Sequence, residues 1–551
     1  MKVLGIHDGH GSSAALVDDG RIIAAVQEER IARVKNQGGF PELAIDEVLR
    51  IGGAKMNDVD LFCFAGNKSL NWHGQIDYGK ILFDAKKYPA IDNQERASKL
   101  IAKGVVKDKI LFLDHHLCHS ATAYYGQQQR NEPILILTCD ACGDDICATA
   151  SIGQKCEIKT IAKIGQENSA AIIYSIITML LGFKPFEEEY KIMGLAPYNY
   201  DSQASELICD SLMLLFDFCN DKSLLWQRGA NWPADADLAG NIEATIRGHQ
   251  ADEVAAGVQK FIERFFLQWV KNCIDVTGIK KLAMSGGLFM NVKLNKIIME
   301  LLQVESLYVF PSCGDESNSI GAAWLGHKKL NEKIEIEPLK DFYLGGDFDS
   351  DVKDVLDNYK FIKNVKITKY EDIEKAVAQL LADGHIVARC KGRAEFGARA
   401  LGNRSILSDA SNRAAVDEIN SMIKMRDFWM PFAPSMIDVD ADEYIDNPKN
   451  IFAPYMILAF DSKAGQAEKI AAALHQADLT CRPGVVRKEY NDCFYKLLEY
   501  YKKLTGGSAV LNTSFNLHGF PMVYKPADAL DVFDNSGLQY LALGDYLIEQ
   551  G

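Results

Sequence analysis

Val3-Leu-Gly-Ile-His-Asp-Gly-His10-Gly-Ser-Ser-Ala-Ala-Leu-Val-Asp-Asp-Gly20-Arg-Ile-Ile-Ala-Ala-Val-Gln27 reads as three short strands joined by tight turns. Val3 to Ile6 is apolar and Ser13 to Val17 is small and apolar. Asp18-Asp19-Gly20 is a hairpin signal, after which Ile22, Ile23 and Val26 resume the strand pattern. A related pattern returns at Ile134 to Leu137, a buried-type strand, followed by the polar turn Asp140-Ala-Cys-Gly143-Asp-Asp and a second strand from Ile146 to Ile152. Two such strand–loop–strand units in one region predict an internal duplication.

That duplication is the organisation of the actin-like ATPase superfamily, in which two loops face phosphates across a cleft. Working outward, Val254, Val258, Phe261, Phe265 and Trp269 at helical spacing predict a helix over Glu253–Val276. A strand and glycine turn follow at Lys281-Leu-Ala-Met-Ser285-Gly286-Gly287. Another strand, Ser306–Phe310, leads to Gly314-Asp315 and a helix containing Ile320-Gly-Ala-Ala-Trp324. Polar Asn331–Pro338 and then Gly345-Gly346 mark a boundary, after which helix (Ile373–Ala382), Asp383-Gly384 turn and strand (Ile386–Cys390) restart the pattern. The expected domains are 1–340 and 345–551. The 551 residues require more than one core, since single cores stop growing near ~250–300 residues.

Hydrophobic content of 48% and charged content of 25% are those of a globular chain. A net charge of −15 repels phosphate backbones and disfavours bulk nucleic-acid binding, though not a local anion pocket. The opening MKVLGIHDGHGSS lacks the apolar run of a signal peptide, no stretch reaches bilayer length, and the 13 cysteines form no disulfide framework. A cytoplasmic, membrane-free protein with reduced thiols is expected. Cys139 and Cys142 read as an incidental pair.

Three segments could carry chemistry. If a helix runs on from Asp114-His115-His116-Leu-Cys-His119, His115 and His119 share one face at i and i+4, a spacing suited to joint metal ligation. Asp140 and Asp315, each in a loop after a buried strand, could join them, and two imidazoles with two carboxylates suit iron, manganese or zinc. The alternative is that these histidines pad a helix end. Ser285-Gly286-Gly287-Leu-Phe-Met-Asn291 is a strand-to-helix glycine turn that could admit a nucleotide phosphate or be only a turn. Residues 391–426 hold seven basic side chains (Lys391, Arg393, Arg399, Arg404, Arg413, Lys424, Arg426) against four acids. That excess inside an acidic chain reads as a polyphosphate pocket rather than a solvated charge run. His10 could be a buried hydrogen-bonding residue or a general base.

Read together, the segments resemble the NodU/CmcH/TobZ-type O-carbamoyltransferase family nearly end to end. The resemblance rests on His10 to Leu16, Glu28-Glu29-Arg30 through Lys35, Asp114-His-His-x-x-His119, Glu189-Tyr-Lys191-Ile-Met-Gly-Leu-Ala-Pro197 and Ser285-Gly-Gly-x-x-x-Asn291. It continues through Gly314-Asp315, Gly392-Arg-x-Glu-Phe-Gly-x-Arg-Ala-Leu-Gly-Asn-Arg-Ser405, Lys424-x-Arg426, Pro431-Phe-Ala-Pro-Ser435 and Leu511-Asn-Thr-Ser-Phe-Asn516. It implies an α/β protein: an N-terminal duplicated actin-like ATPase (ASKHA, TsaD-like) domain plus a C-terminal YrdC-like α/β domain. The second domain would make carbamoyl adenylate from carbamoyl phosphate and ATP, with Mg2+. The first would transfer the carbamoyl group to a hydroxyl of a small natural product or sugar.

Carried over by position, His115, His119, Asp140 and Asp315 would hold a divalent metal, iron(II), and His10 and Lys35 would be catalytic. Ser285, Gly286, Gly287 and Asn291 would bind nucleotide. Lys391, Arg393, Arg399, Arg404, Ser405, Lys424, Arg426, His475, Arg482, Asn512 and Ser514 would line the adenylation pocket. Three positions depart from the family pattern: Gly484 stands where a glutamine is expected, Ala398 where a proline is common, and Asp140-Ala-Cys-Gly-Asp-Asp replaces Asp-Gly-x-Gly-Glu. Competing readings are a threonylcarbamoyl-type tRNA modification enzyme and a non-catalytic nucleotide-binding regulator. Asn67–Lys86, with Trp72, His73 and Tyr78, is a candidate acceptor wall or a plain surface loop, and a homodimer is the default assembly.

Overall fold

A computed structural model describes residues 1–70, 90–220, 223–232 and 238–551. The chain divides into two units, one of Met1–Glu28 and Asn36–Leu339, the other of Glu29–Lys35 and Lys340–Gly551. Trp72, His73 and Tyr78 of the candidate acceptor wall lie outside the described residues.

The first unit is duplicated. Its first sheet contains β1 (Lys2–His7), β2 (Ser13–Asp18), β3 (Arg21–Gln27), β4 (Leu61–Ala65) and β5 (Ile110–Leu113), in the order β3-β2-β1-β4-β5. Its second contains β6 (Ile134–Gly143), β7 (Ile146–Gln154), β8 (Glu157–Gly165), β9 (Lys281–Ser285) and β10 (Ser306–Val309), in the order β8-β7-β6-β9-β10. In both sheets the first three strands meander antiparallel and the fourth and fifth add in parallel. Each sheet therefore runs third–second–first–fourth–fifth, the duplicated actin-like arrangement.

Helix α1 (His115–Gly126) packs on β6 and β9, and the later helix Asn318–Leu330 packs on β1 and β4. The two helices also pack on each other, between the sheets. Nearly every residue of α1 is buried, as expected of a helix enclosed on all sides. The long apolar-periodic helix spans Ala251–Thr277, opening on a capping box of Gln250 and Glu253 and ending at Gly278 in the left-handed region.

The polar segment after Asp140 is not the turn that its composition suggests. Strand β6 continues to Gly143, and the turn is the pair Asp144-Asp145, both at positive φ (52° and 66°). That two-residue primed turn matches the right-handed twist of the flanking strands. The ladder between β6 and β7 is interrupted between Cys139 and Gly143, so Asp140 sits where regular pairing breaks.

The second unit is built on an eight-stranded mixed sheet. In chain order its strands are β11 (Val365–Lys369), β12 (Val387–Cys390), β13 (Arg404–Asp409), β14 (Ala433–Ile437), β15 (Gly484–Val486), β16 (Val510–Ser514), β17 (Tyr540–Leu543) and β18 (Tyr546–Gln550). Their spatial order is β11-β18-β17-β12-β13-β16-β14-β15. Successive residues face opposite cores. Val387, Leu407 and Val510 join Phe494, Leu497 and Leu498, whereas Ala388, Ile406 and Leu511 join Leu530 and Phe533. Burying both faces explains why these strands are continuously apolar rather than alternating. Among the described residues no helix is long and apolar enough to cross a membrane.

Candidate active site

In the first unit, Asp114 caps α1 by accepting from Leu117 N–H at 2.8 Å, and Asp144 accepts from His115 N–H at 2.9 Å. The helix start is thus tied to the hairpin turn of the second sheet. One helical turn separates His115 from His119, and both Nε2 atoms point at the same two carboxylates. His115 Nε2 lies 3.0 Å from Asp140 Oδ2 and 3.4 Å from Asp315 Oδ1; for His119 Nε2 both distances are 3.3 Å. The four ligand atoms all lie within 4.8 Å of one another. Donors bound at about 2.0–2.2 Å to one ion stand roughly 3.0–3.5 Å apart in common geometries, so the donor set fits a divalent transition metal.

The electrostatics agree. Burial works against the His115 charge, but Asp315 and Asp140 outweigh it and hold its pKa well above the ordinary value. His119 is raised by the same two carboxylates, again against burial. Burial likewise opposes the Asp140 charge, yet His116, His115 and His119 keep its carboxyl well below the usual range, and Asp315 is lowered by His115 and His119. A cation would replace these shared protons.

Around the cluster stand residues that sequence reasoning did not single out. His116 sits with Nδ1 2.9 Å from Thr138 Oγ1 and Nε2 3.0 Å from the Ile146 carbonyl, and its ring edge lies 3.5 Å from Asp140 Oδ1. His7 is buried, lies 4.0 Å from Asp315 Oδ2, and has its pKa pushed down to about 4 by burial. His10, the expected base, keeps its ring 6.5 Å from Phe186, while its carbonyl lies 3.1 Å from His7 Nε2. Asn318 Nδ2 is 3.1 Å from His119 Nε2. The signal that could have found His7 is its place at the end of β1, facing the same inter-sheet space as Asp140 at the equivalent strand.

The Ser285–Asn291 turn lies against this cluster. Ser285 is fully buried, with its hydroxyl 3.2 Å from His119 Nδ1, a partner that orients a metal-ligating imidazole. Gly286 adopts φ +111°, and a Cβ there would meet the Cys139 carbonyl oxygen at 2.3 Å, so the loop presses on the strand that carries Asp140. Gly287 is exposed. Asn291 caps the following helix through Leu294 N–H and pairs with Gln259, a structural use of the side chain.

In the second unit the expected cationic pocket separates into two populations. Arg404 is buried, and its guanidinium donates to the carbonyls of Tyr524, Gly392 and Asn403 at 3.0 Å each and of Lys391 at 3.3 Å. Arg393 donates to the Gly345 and Leu344 carbonyls, and Lys391 is paired with Glu374 and Asp545. Ser405 is fully buried and accepts from Gly402 N–H. These four bind the backbone and acids of the protein itself, since an arginine fork satisfies carbonyls as well as it satisfies phosphate.

The others converge. Lys424 is 3% exposed, and Nζ donates to Ser514 Oγ and Asn516 Oδ1. Burial, then Arg426 and Lys35, push its pKa well below the ordinary value. Burial, Arg399 and Arg426 act the same way on half-buried Arg482, whose Nε has no hydrogen-bond partner. Lys35, expected to be catalytic with His10, falls in the second unit. Asn512 donates to Ser435 Oγ and the Ala400 carbonyl and keeps a buried, unpartnered Oδ1. His475 is buried, accepts from Ala477 N–H and lies 3.4 Å from Asp478.

Comparison with known proteins bears on what the two clusters are for. Residues 2–324 match the family description "Carbamoyltransferase N-terminus" and residues 378–550 match "Carbamoyltransferase C-terminus". The chain belongs to the carbamoyltransferase family. Among its relatives, the nodulation protein NolNO of Sinorhizobium fredii is 29% identical over 99% of this chain and 79% of its own length. An uncharacterized protein of Methanocaldococcus jannaschii is 30% identical over 100% of this chain and 99% of its own. Nodulation protein U of Sinorhizobium fredii is 24% identical over 94% of each.

This carbamoyltransferase is therefore an enzyme rather than a nucleotide-binding regulator. Its departures have structural counterparts. A Cβ at Gly484 would stand 3.0 Å from Met456 Cε and 3.2 Å from Ser435 Oγ, so the place of the missing glutamine is already filled. Ala398 is exposed. At the altered motif the strand extends past Asp140 to Gly143 and turns at Asp144-Asp145.

Proposed function

We propose that this carbamoyltransferase is an ATP-dependent O-carbamoyltransferase working through carbamoyl adenylate. The observation that carries the reading is the mutually repelling cationic cluster around buried Lys424 in the second unit, because bound polyphosphate would relieve its cost. Carbamoyl phosphate and ATP can yield the adenylate with balanced atoms if water first releases phosphate and leaves carbamate. A carbamate oxygen then attacks the α-phosphorus of ATP, breaking the α–β bond and releasing pyrophosphate. Mg2+ accompanies the nucleotide. Lys424, Arg426 and Arg482 offset the charge that develops on the phosphates.

In the first unit an acceptor hydroxyl of a small natural product or sugar attacks the carbamoyl carbon. The bond to the phosphate oxygen breaks, AMP leaves, and the hydroxyl proton passes to a base for which His10 is the candidate. His115, His119, Asp140 and Asp315 would hold a divalent ion, iron(II) in this reading, which would supply a Lewis acid for oxygens that gain charge. His116 and Ser285 hold its ligands in place.

The test follows pyrophosphate release from the purified protein with ATP, Mg2+ and carbamoyl phosphate and no acceptor. Release that needs carbamoyl phosphate and falls at least about 100-fold in Lys424→Met supports the reading; the scale is that of removing one buried transition-state donor. Release that Lys424→Met leaves intact would sink it.

A further inference from the structure

Asn318 has no exposed surface. It opens the helix Asn318–Leu330 directly after the 3₁₀ turn Asp315–Ser317. Residues three apart in such a turn stand eclipsed, which brings the Asn318 side chain to the side that carries Asp315. Its Nδ2 is 3.1 Å from His119 Nε2 and 3.5 Å from His115 Nε2. These are the two imidazole nitrogens of the metal-type cluster. Donors that share one ion stand roughly 3.0–3.5 Å apart, so the amide occupies the place of a fifth donor.

The ordinary uses of a buried asparagine do not account for this placement. At a helix start the side chain commonly caps, but the N-cap here is Ser317, and Asn318 Oδ1 accepts from no backbone N–H. Among the described residues the polar partners of the side chain are the two imidazole nitrogens, and its Oδ1 is buried with none. A buried carbonyl without a partner is a costly state. The Nδ2–H group also faces nitrogens that cannot accept it once they ligate an ion, because the ring lone pair is then spent. A half-turn about Cβ–Cγ exchanges the amide oxygen and nitrogen and moves no other group. That turn gives the orphaned oxygen a cation to meet and takes the N–H away from the imidazoles.

We propose that Asn318 is a fifth protein ligand of the divalent ion, through its carboxamide oxygen. The proposal rests on the four-residue metal reading above and extends it. Two carboxylates already balance the charge of a divalent ion, and an amide adds an oxygen without adding charge. A fifth donor also takes the site beyond the four-coordinate geometry of structural zinc. It favours ions that accept carbonyl oxygen and more ligands, such as manganese or iron(II).

The experiment strips the full chain of metal, reloads it with Co(II), and reads the visible spectrum together with competition against a chromophoric chelator. Tetrahedral cobalt(II) absorbs several times more strongly than the five- or six-coordinate ion, so ligand number is read without any assay of activity. The wild type should show the weaker, higher-coordinate spectrum; a tetrahedral spectrum overturns the proposal. Asn318→Leu keeps the branched shape, offers no donor and leaves no room for water. It should intensify the absorption and weaken Co(II) at least about 10-fold, the least that disturbing a ligand's support costs. An unchanged spectrum or unchanged affinity overturns the assignment.

Asn318→Asp separates ligation from hydrogen bonding, and it decides alone if circular dichroism shows Asn318→Leu unfolded. A carboxylate ligand should hold Co(II) at least to within about 10-fold of wild type and keep the higher-coordinate spectrum. If Nδ2 instead served the site as an N–H donor, a third carboxylate would be repelled. Metal lost as fully as in His115→Ala would therefore overturn the proposal. Wild-type protein that binds no Co(II), or binding that His115→Ala leaves undiminished, refutes the four-ligand reading and the proposal with it. That outcome differs from an ion that needs His115 and ignores Asn318.

Discussion

Gly143→Ala isolates the geometry of the metal-type cluster without touching any ligand. A Cβ built on Gly143 would lie 2.2 Å from His115 Cδ2, 2.3 Å from Cγ and 2.6 Å from Nε2. Non-bonded carbons settle near ~3.5 Å, so the imidazole would have to retreat by more than about 1 Å. Metal sites tolerate only about 0.2 Å in bond length, and His115 would leave the ligand set. Gly143 does not have a positive φ, so alanine strains no backbone dihedral, and the ring carries the whole effect. The overpacking should cost about 1–3 kcal/mol of stability. Affinity for a divalent metal should fall by at least about 10- to 100-fold, the scale seen when a ligand's support is removed. The assay is competition of Co(II) or Zn(II) against a chromophoric chelator on stripped, refolded protein, with His115→Ala as the limit. Wild-type affinity in Gly143→Ala would refute the placement of His115 as a ligand.

Two further outcomes are expected. Because Asp315 and Asp140 raise His115, and the same carboxylates raise His119, above the unfolded value of about 6.5, their contribution to metal-free stability is present below that pH and lost as pH rises through the folded values. Metal requires both imidazoles deprotonated, so affinity should climb with pH over the same window and binding should release protons, measurable by calorimetry in two buffers of different ionisation enthalpy; pH-independent binding without proton release would exclude the imidazoles. Arg404→Ala strands four backbone carbonyls and should cost roughly 3–5 kcal/mol, read as a lowered urea midpoint, and a normal midpoint with lost pyrophosphate binding would instead make Arg404 a ligand.

Much of this was legible in the chain. Short apolar runs broken by polar Asp- and Gly-containing segments marked both hairpins of the first unit, and the i, i+4 histidines marked a helix face suited to metal. Local pattern reports these because strand and helix periodicities act over a few residues. It failed on Asp140–Asp145, where polar composition suggested a turn but the strand continued to an Asp-Asp turn. Nor could it report what Arg393 and Arg404 contact, because a basic side chain looks the same in sequence whether a phosphate or a carbonyl awaits it.

By itself the sequence determined the duplicated α/β plan and the chemical types available for catalysis. Only tertiary structure decided their assignments. It moved Lys35 into the second unit, brought buried His7 and His116 to the carboxylates, turned Ser285 onto His119, and sorted the cations into those already bound by the protein and those that face one another. The physical reason is that a charge takes its role from its surroundings. Burial, the nearest opposite charge and the hydrogen bonds on offer are set by residues tens or hundreds of positions away in the chain.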